Sequence, residues 1–153
     1  MASYHFFAVC PRTLEPILAQ ELDKLGAQSI QQNPGGVLFE GPLLLAMSVC
    51  LHSRYASRIL LRVATRRYYD SHDIYDMAYA LPWERFFTTE ETLRVDVTAR
   101  NSPLESLDFT TLRIKDGICD HFRDGCGRRP DIAKSNPDVR IHAFITESHC
   151  TFY

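Results

Sequence analysis

The sequence has no surplus of positive charge: 17 Lys and Arg stand against 19 Asp and Glu, a formal net charge of −2. Binding to nucleic acid through bulk basicity is therefore excluded, and any phosphate-contacting surface must come from where the charges sit. A membrane-length apolar run is also missing. The longest, Leu43 to Met47, falls far short of the ~20 residues that cross a bilayer, so no membrane partner is expected. Residues 1–9 have no basic start and only a short apolar run, so they read as a strand and not as an export signal. The five cysteines, Cys10, Cys50, Cys119, Cys126 and Cys150, contain no Cys-x-x-Cys. Cys119, His121 and Cys126, or His149 and Cys150, have poor spacing for a zinc site, and Cys119 reads as a core residue. An odd number of thiols without an export signal suits a reducing, cytoplasmic location. No Ser-His-Asp or Cys-His spacing marks a catalytic set, and the six histidines are scattered. Neither catalytic nor metal-binding residues are expected.

What is present is an ordinary globular composition, 45% hydrophobic and 24% charged over 153 residues, enough for one or two domains. Ser3 to Val9 predicts a strand. Leu14, Ile17, Leu18, Leu22 and Leu25 recur at helical spacing, with Thr13 as an expected N-cap and Gly26 as the stop. Gln28–Gln32 and Val37–Phe39 read as strands around the turn Asn33-Pro34-Gly35-Gly36, and Leu43 to about Ser53 as a helix. Ile59 to Thr65 alternates and predicts one strand. The order β-α-β-β-α-β is the ferredoxin-like split motif, expected to close near residue 67.

A second unit follows. Ser71 to Ala80 predicts a helix capped by Ser71, and Pro82 to Phe87 a short aromatic turn. Leu93, Val95 and Val97 alternate as a strand. Leu107, Ile114, Ile118 and Phe122 mark one face of a long helix stopped by Gly125-Cys126-Gly127. Val139, Ile141, Ala143 and Ile145 form another strand after a loop. Phe152 and Tyr153 read as the middle of a further strand, so the chain is expected to be a C-terminally truncated piece of something longer.

Two basic constellations stand out. Arg54, Arg58, Arg62, Arg66 and Arg67 have no acid among them, and a spacing of four keeps the first four on one side in helix or strand. Guanidinium groups match phosphate geometry, and Tyr68 and Tyr69 follow as stacking surfaces. The bland alternative is a solvated strand face paired to Asp70, Asp73 and Asp76. Arg128, Arg129 and Lys134, with Arg140, form a second basic loop suited to phosphate contact, or an ordinary exposed loop.

The run Phe6-Phe7-Ala8-Val9-Cys10-Pro11-Arg12-Thr13-Leu14-Glu15-Pro16-Ile17-Leu18, then Glu21-Leu22, Leu25-Gly26-Ala27 and Gly35-Gly36-Val37-Leu38-Phe39-Glu40-Gly41, resembles the opening of a bacterial methyltransferase family. Arg54 with Ala56-Ser57-Arg58-Ile59-Leu60, and Pro82-Trp83, continue the likeness. Leu93 to Ala99, Asn101-Ser102, Ile114 to Ile118, Arg129-Pro130-Asp131 and Pro137 to Ile141 look like the strand, helix, loop and return strand of a THUMP domain. The family is similar to large-subunit ribosomal RNA guanine-N2 methyltransferases.

The resemblance implies an α+β chain: a ferredoxin-like lead-in over 1–67, then an α/β THUMP domain over 68–153, with a start near residue 44 as the alternative profile boundary. It implies that this segment docks ribosomal RNA for a downstream Rossmann-like methyltransferase domain in the same polypeptide. S-adenosylmethionine is expected for that parent and no cofactor for this chain. A strand–Gly-rich-loop–helix unit and an Asn/Asp-Pro-Pro-Tyr/Phe signature are both missing from the sequence. Arg54, Arg58, Arg62, Arg66, Arg67, Arg128, Arg129, Lys134 and Arg140 are the expected RNA contacts. A THUMP module of a tRNA-modifying enzyme and a regulatory protein-interaction module are the alternatives.

Overall fold

A computed structural model describes residues 2–153. The chain divides into two compact units, one ending at Arg62 and the other starting at Val63.

In the first unit the order is β1 (Tyr4–Val9), α1 (Glu15–Lys24), β2 (Gln28–Asn33), β3 (Gly36–Gly41), α2 (Leu43–His52) and β4 (Arg58–Leu61). The strands form one sheet in the order β2-β3-β1-β4, the ferredoxin-like arrangement. Alternation along β1 places Phe6 and Ala8 in the core, opposite Phe39 and Val37 of β3. Leu18 and Leu22 of α1 and Val49 of α2 complete it, all fully buried; each such side chain contributes about 1.5–3 kcal/mol. Thr13 does not cap α1. Its φ is +82°, Leu14 takes the cap position, and Glu15 Oε1 instead reaches across to accept the Gly35 N–H at 2.9 Å. That bond is the largest cause holding the Glu15 carboxyl below its ordinary range. The outward residues of α2, Leu43, Leu44, Met47 and Leu51, are apolar and exposed.

The second unit runs β5 (Ala64–Arg67), α3 (Ser71–Ala80), a 3-10 turn (Trp83–Arg85), β6 (Leu93–Ala99), α4 (Leu107–Cys126), β7 (Val139–Ile145) and β8 (His149–Phe152). Its sheet order is β5-β8-β7-β6. The β6–β7 pair is parallel and the other two are antiparallel. The predicted strand from Ile59 to Thr65 does not exist as one element. Arg62 N–H donates to His5 O in the first sheet, while Val63 N–H donates to Phe152 O in the second. Two adjacent residues thus feed different ladders, and the strand breaks between them. The boundary between the two compact units falls at 62/63.

Asp70, not Ser71, caps α3. Its carboxylate accepts the Asp73 N–H at 2.9 Å, and the Asp73 carboxylate accepts the N–H of Tyr69, the residue before the cap, at 2.9 Å. At α4, Ser106 Oγ accepts the Phe109 N–H, and Gly127 closes the other end at φ +78°. Helices α3 and α4 run parallel, because Tyr75 bonds Asp120 and Tyr79 bonds Asp124 at equal steps. Their close approach occurs at Gly117, where an added Cβ would lie 2.9 Å from both the Ala78 Cβ and the Tyr75 carbonyl oxygen. Ile74, Met77, Ile114, Ile118 and Phe122 pack with Leu93, Ile141, Ala143, Ile145 and Phe152 in one core.

Candidate nucleic-acid interface

The predicted basic side chains divide between the two units. Arg54, Arg58 and Arg62 belong to the first; Arg66, Arg67, Arg128, Arg129, Lys134 and Arg140 belong to the second.

In the first unit, the turn after α2 is tied to α1 by one carboxylate. Glu21 accepts the Ser53 hydroxyl at 2.5 Å and the Arg54 N–H at 2.8 Å. Ser53 Oγ in turn accepts the Ala56 N–H at 3.1 Å. Arg54 therefore leaves from a fixed backbone with its side chain exposed. Ser57 N–H donates to Val9 O, which seats Arg58 opposite Val9 at the start of β4. Arg58, Leu60 and Arg62 share one face by the two-residue period of a strand. Arg62 is only half-exposed, and its Nε is buried without a hydrogen-bond partner.

In the second unit, Arg66 and Arg67 are exposed on β5, an edge strand, opposite Cys150 and His149. Tyr68 is a correction: it is 4% exposed, with its hydroxyl 2.5 Å from Thr146 O and 3.1 Å from Ser102 Oγ. A ring enclosed in the core has no face to offer a base. Tyr69 is 82% exposed and retains one.

Arg140 lies beside Arg94 in the parallel β6–β7 register. Arg94, between Leu93 and Val95 of the alternating strand, is not among the expected RNA contacts. The structure shows Asp96 between the two cations, 2.9 Å from Arg94 Nε and 3.7 Å from Arg140 Nη1. Arg94 Nη1 also donates to the Lys134 carbonyl at 2.7 Å, which holds the loop against β6. The loop is held further where Leu93 N–H donates to Asp131 O and Ala133 N–H to Leu93 O. Arg128 forms an exposed pair with Glu90 at 3.2 Å, a contact of little energetic weight. Arg129 lies against the Cys119 thiol; burial raises that thiol's pKa, and the guanidinium opposes the rise. Within their own units Arg54, Arg58, Arg66, Arg67, Arg128, Arg129, Lys134 and Arg140 are exposed cations.

Gly125-Cys126-Gly127 ends a helix and does not link a strand to one, so it does not fit a nucleotide-cofactor cradle. Among the described residues no helix is long and apolar enough to cross a membrane.

Comparison with known proteins gives matches along the chain. The family model for the THUMP domain matches residues 68–153, and that for the RlmL ferredoxin-like domain matches residues 5–60. The chain is 41% identical over 140 residues to the ribosomal RNA large subunit methyltransferase K/L of Aeromonas hydrophila, covering 92% of this chain and 20% of that protein. It is 38% identical over 150 residues to the protein of the same name in Syntrophotalea carbinolica, covering 98% of this chain and 21% of that one. The chain thus spans about a fifth of the length of these curated relatives. Among solved structures, a Listeria monocytogenes protein described as a "predicted N6-adenine-specific DNA methylase" shares the fold with a TM-score of 0.85 at 22% identity, over 99% of this chain and 40% of that one.

Proposed function

This chain belongs to the THUMP family, and from that premise we propose that it docks large-subunit ribosomal RNA for a linked methyltransferase domain. The observation that carries the reading is the order of the two matches. A ferredoxin-like lead-in and a THUMP domain follow one another as in relatives named for methylating large-subunit ribosomal RNA. The reaction of the longer protein is S-adenosylmethionine-dependent methyl transfer to a guanine amino group, with the cofactor held in the linked domain. This chain supplies binding energy and orientation, which lower the barrier of a reaction taking place elsewhere. Arg54, Arg58, Arg66, Arg67, Arg128, Arg129, Lys134 and Arg140 are exposed and serve as the phosphate contacts, with Tyr69 as a stacking ring. Arg62 is assigned a smaller share because part of its guanidinium is buried. The cytosol is the compartment that suits five unpaired thiols.

The experiment is a salt series of binding to ribosomal RNA fragments and to tRNA. Affinity for a ribosomal fragment that falls steeply with salt and exceeds that for tRNA supports the reading. Tighter binding to tRNA overturns the ribosomal assignment. Salt-independent binding overturns the phosphate contacts.

A further inference from the structure

The charges of the second unit are sorted by layer. Its four strands carry four arginines, Arg66, Arg67, Arg94 and Arg140, and one acid, Asp96. Its helices α3 and α4 carry six aspartates against Arg113, Lys115 and Arg123. Those three helix cations are committed locally. Arg113 lies over the Tyr75 and Phe109 rings, Lys115 pairs with Asp116, and Arg123 pairs with Asp120 and Asp124. A chain with a net charge of −2 thus holds a basic layer and an acidic one.

The two-residue period of a strand then sorts the basic side chains by face. Leu93, Ile141, Ala143 and Phe152 pack in the core with α3 and α4. Their alternates Arg94, Asp96 and Arg140 lie on the opposite face of the sheet. On β5, Ala64 packs against the core, which puts Thr65 and Arg67 on that opposite face too. Arg94 and Arg140 sit side by side at one end of it, and Arg67, opposite His149, at the other. Between them an uncharged row, Thr65, Thr151, Phe144 and Thr98, crosses all four strands in register. A helix is about 10 Å across, and charges act over only ~8 Å in physiological salt. The helix carboxylates therefore leave the potential of this face to its own arginines.

We infer that RNA lies across the face of the second sheet opposite its helices, with α3 and α4 turned away from it. Arg67 at one end and Arg140 at the other take phosphates. Arg94, held by Asp96 and the Lys134 carbonyl, adds a fixed positive charge beside Arg140. The inference rests on the RNA-docking reading and deepens it, because it selects one side of the second unit. Charge complementarity carries the choice: a polyanion is drawn to the layer with a surplus of guanidinium groups and repelled by the layer with a surplus of carboxylates.

The test titrates this chain with a ribosomal RNA fragment and follows the backbone amides by NMR. The expected result is saturable shifts at Arg67, Thr98, Arg140 and Phe144, with Asp76, Asp116, Asp120 and Asp124 left in place. Two double variants then remove the same charge from the two layers. Arg67→Ala/Arg140→Ala is expected to weaken binding and to make the slope of log affinity against log salt shallower by about 1 to 2. Lys115→Ala/Arg123→Ala is expected to keep the wild-type affinity and slope. Thermal midpoints check that both variants fold, and the shift map of the unaltered chain stands without them. Shifts centred on α3 and α4, or equal losses in the two variants, overturn the inference and leave RNA docking intact. A wild-type chain that binds no RNA at low salt overturns the RNA-docking reading, and this inference falls with it.

Discussion

The Tyr75 hydroxyl donates to Asp120 Oδ2 at 2.8 Å, joining α3 to α4, and one turn along each helix Tyr79 repeats the bond to Asp124 at 2.7 Å. The bond to Asp120 is the largest cause that pushes the Tyr75 phenol up to about 12. An unfolded tyrosine ionises near 10, so the stability contributed by Tyr75 is fully present below about pH 10 and is lost as pH rises through about 12. Urea midpoints of the wild type are expected to fall over this window. Tyr75→Phe starts lower, by about 1 kcal/mol at neutral pH, and falls less steeply. An identical alkaline slope in both proteins removes Tyr75 from the account.

Glycine at position 117 is expected to be required for the contact between α3 and α4. Gly117→Ala places a methyl against the Ala78 side chain and the Tyr75 and Tyr79 backbone. Overpacking against backbone costs about 1–3 kcal/mol, more than the ~1 kcal/mol that alanine gains in helix propensity. Gly125→Ala has the same propensity gain with no neighbour in the way, and it stabilises by about 0.5–1 kcal/mol. Thermal melts of the two variants therefore move in opposite directions.

Neighbouring tyrosines are expected to behave differently. Tyr68→Phe loses the bonds to Thr146 and Ser102, lowering stability by about 1 kcal/mol. Tyr69→Ala leaves stability within about 0.5 kcal/mol but weakens RNA binding by about 1–3 kcal/mol if its ring stacks on a base. Chemical denaturation and filter binding measure the two effects separately. Unchanged RNA affinity in Tyr69→Ala ends the stacking role.

Replacing Arg66 and Arg67 together by alanine is expected to weaken RNA binding while leaving the fold intact, because both are exposed on an edge strand. The slope of log affinity against log salt should become shallower by about 1 to 2, the share of two phosphate contacts. A parallel loss at all salt concentrations points to a structural effect instead.

Thiol reactivity is expected to follow burial. Cys50 and Cys126 are exposed, whereas Cys10, Cys119 and Cys150 are buried. Burial pushes the Cys150 thiol up to about 12, raises Cys119 and is the largest cause of the rise at Cys10. A colorimetric thiol reagent at neutral pH should label two cysteines in the native chain and five after denaturation.

Much of the local structure was legible in the residues alone. The period of α4, with Ile114, Ile118 and Phe122 on one face and Gly127 after it, reports short-range physics: side-chain spacing and a left-handed stop. The alternation of Val139, Ile141, Ala143 and Ile145 did the same for β7. The exposed basic residues were visible as types, because a surface guanidinium needs no partner to be noticed. The orders β-α-β-β-α-β and strand–helix–strand then carried the fold class.

What the tertiary structure decided were the non-local pairings. Ile59 to Thr65 reads as a single strand, so nothing in its own pattern marks where the chain leaves one ladder for another. The break was decided by His5 and Phe152, whose carbonyls take the N–H groups of adjacent residues. Tyr68 and Tyr69 are chemically equal, but Tyr68 packs in the core of the second unit with its hydroxyl on Thr146 and Ser102, whereas Tyr69 is exposed. Arg94 and Arg140 flank Asp96 because two strands 46 residues apart in register lie side by side. His121 and Glu84, 37 positions apart, form one wall of a pocket. Local sequence specifies an element's period and its ends; which partners its backbone and side chains meet is set when distant segments bury their apolar faces against one another.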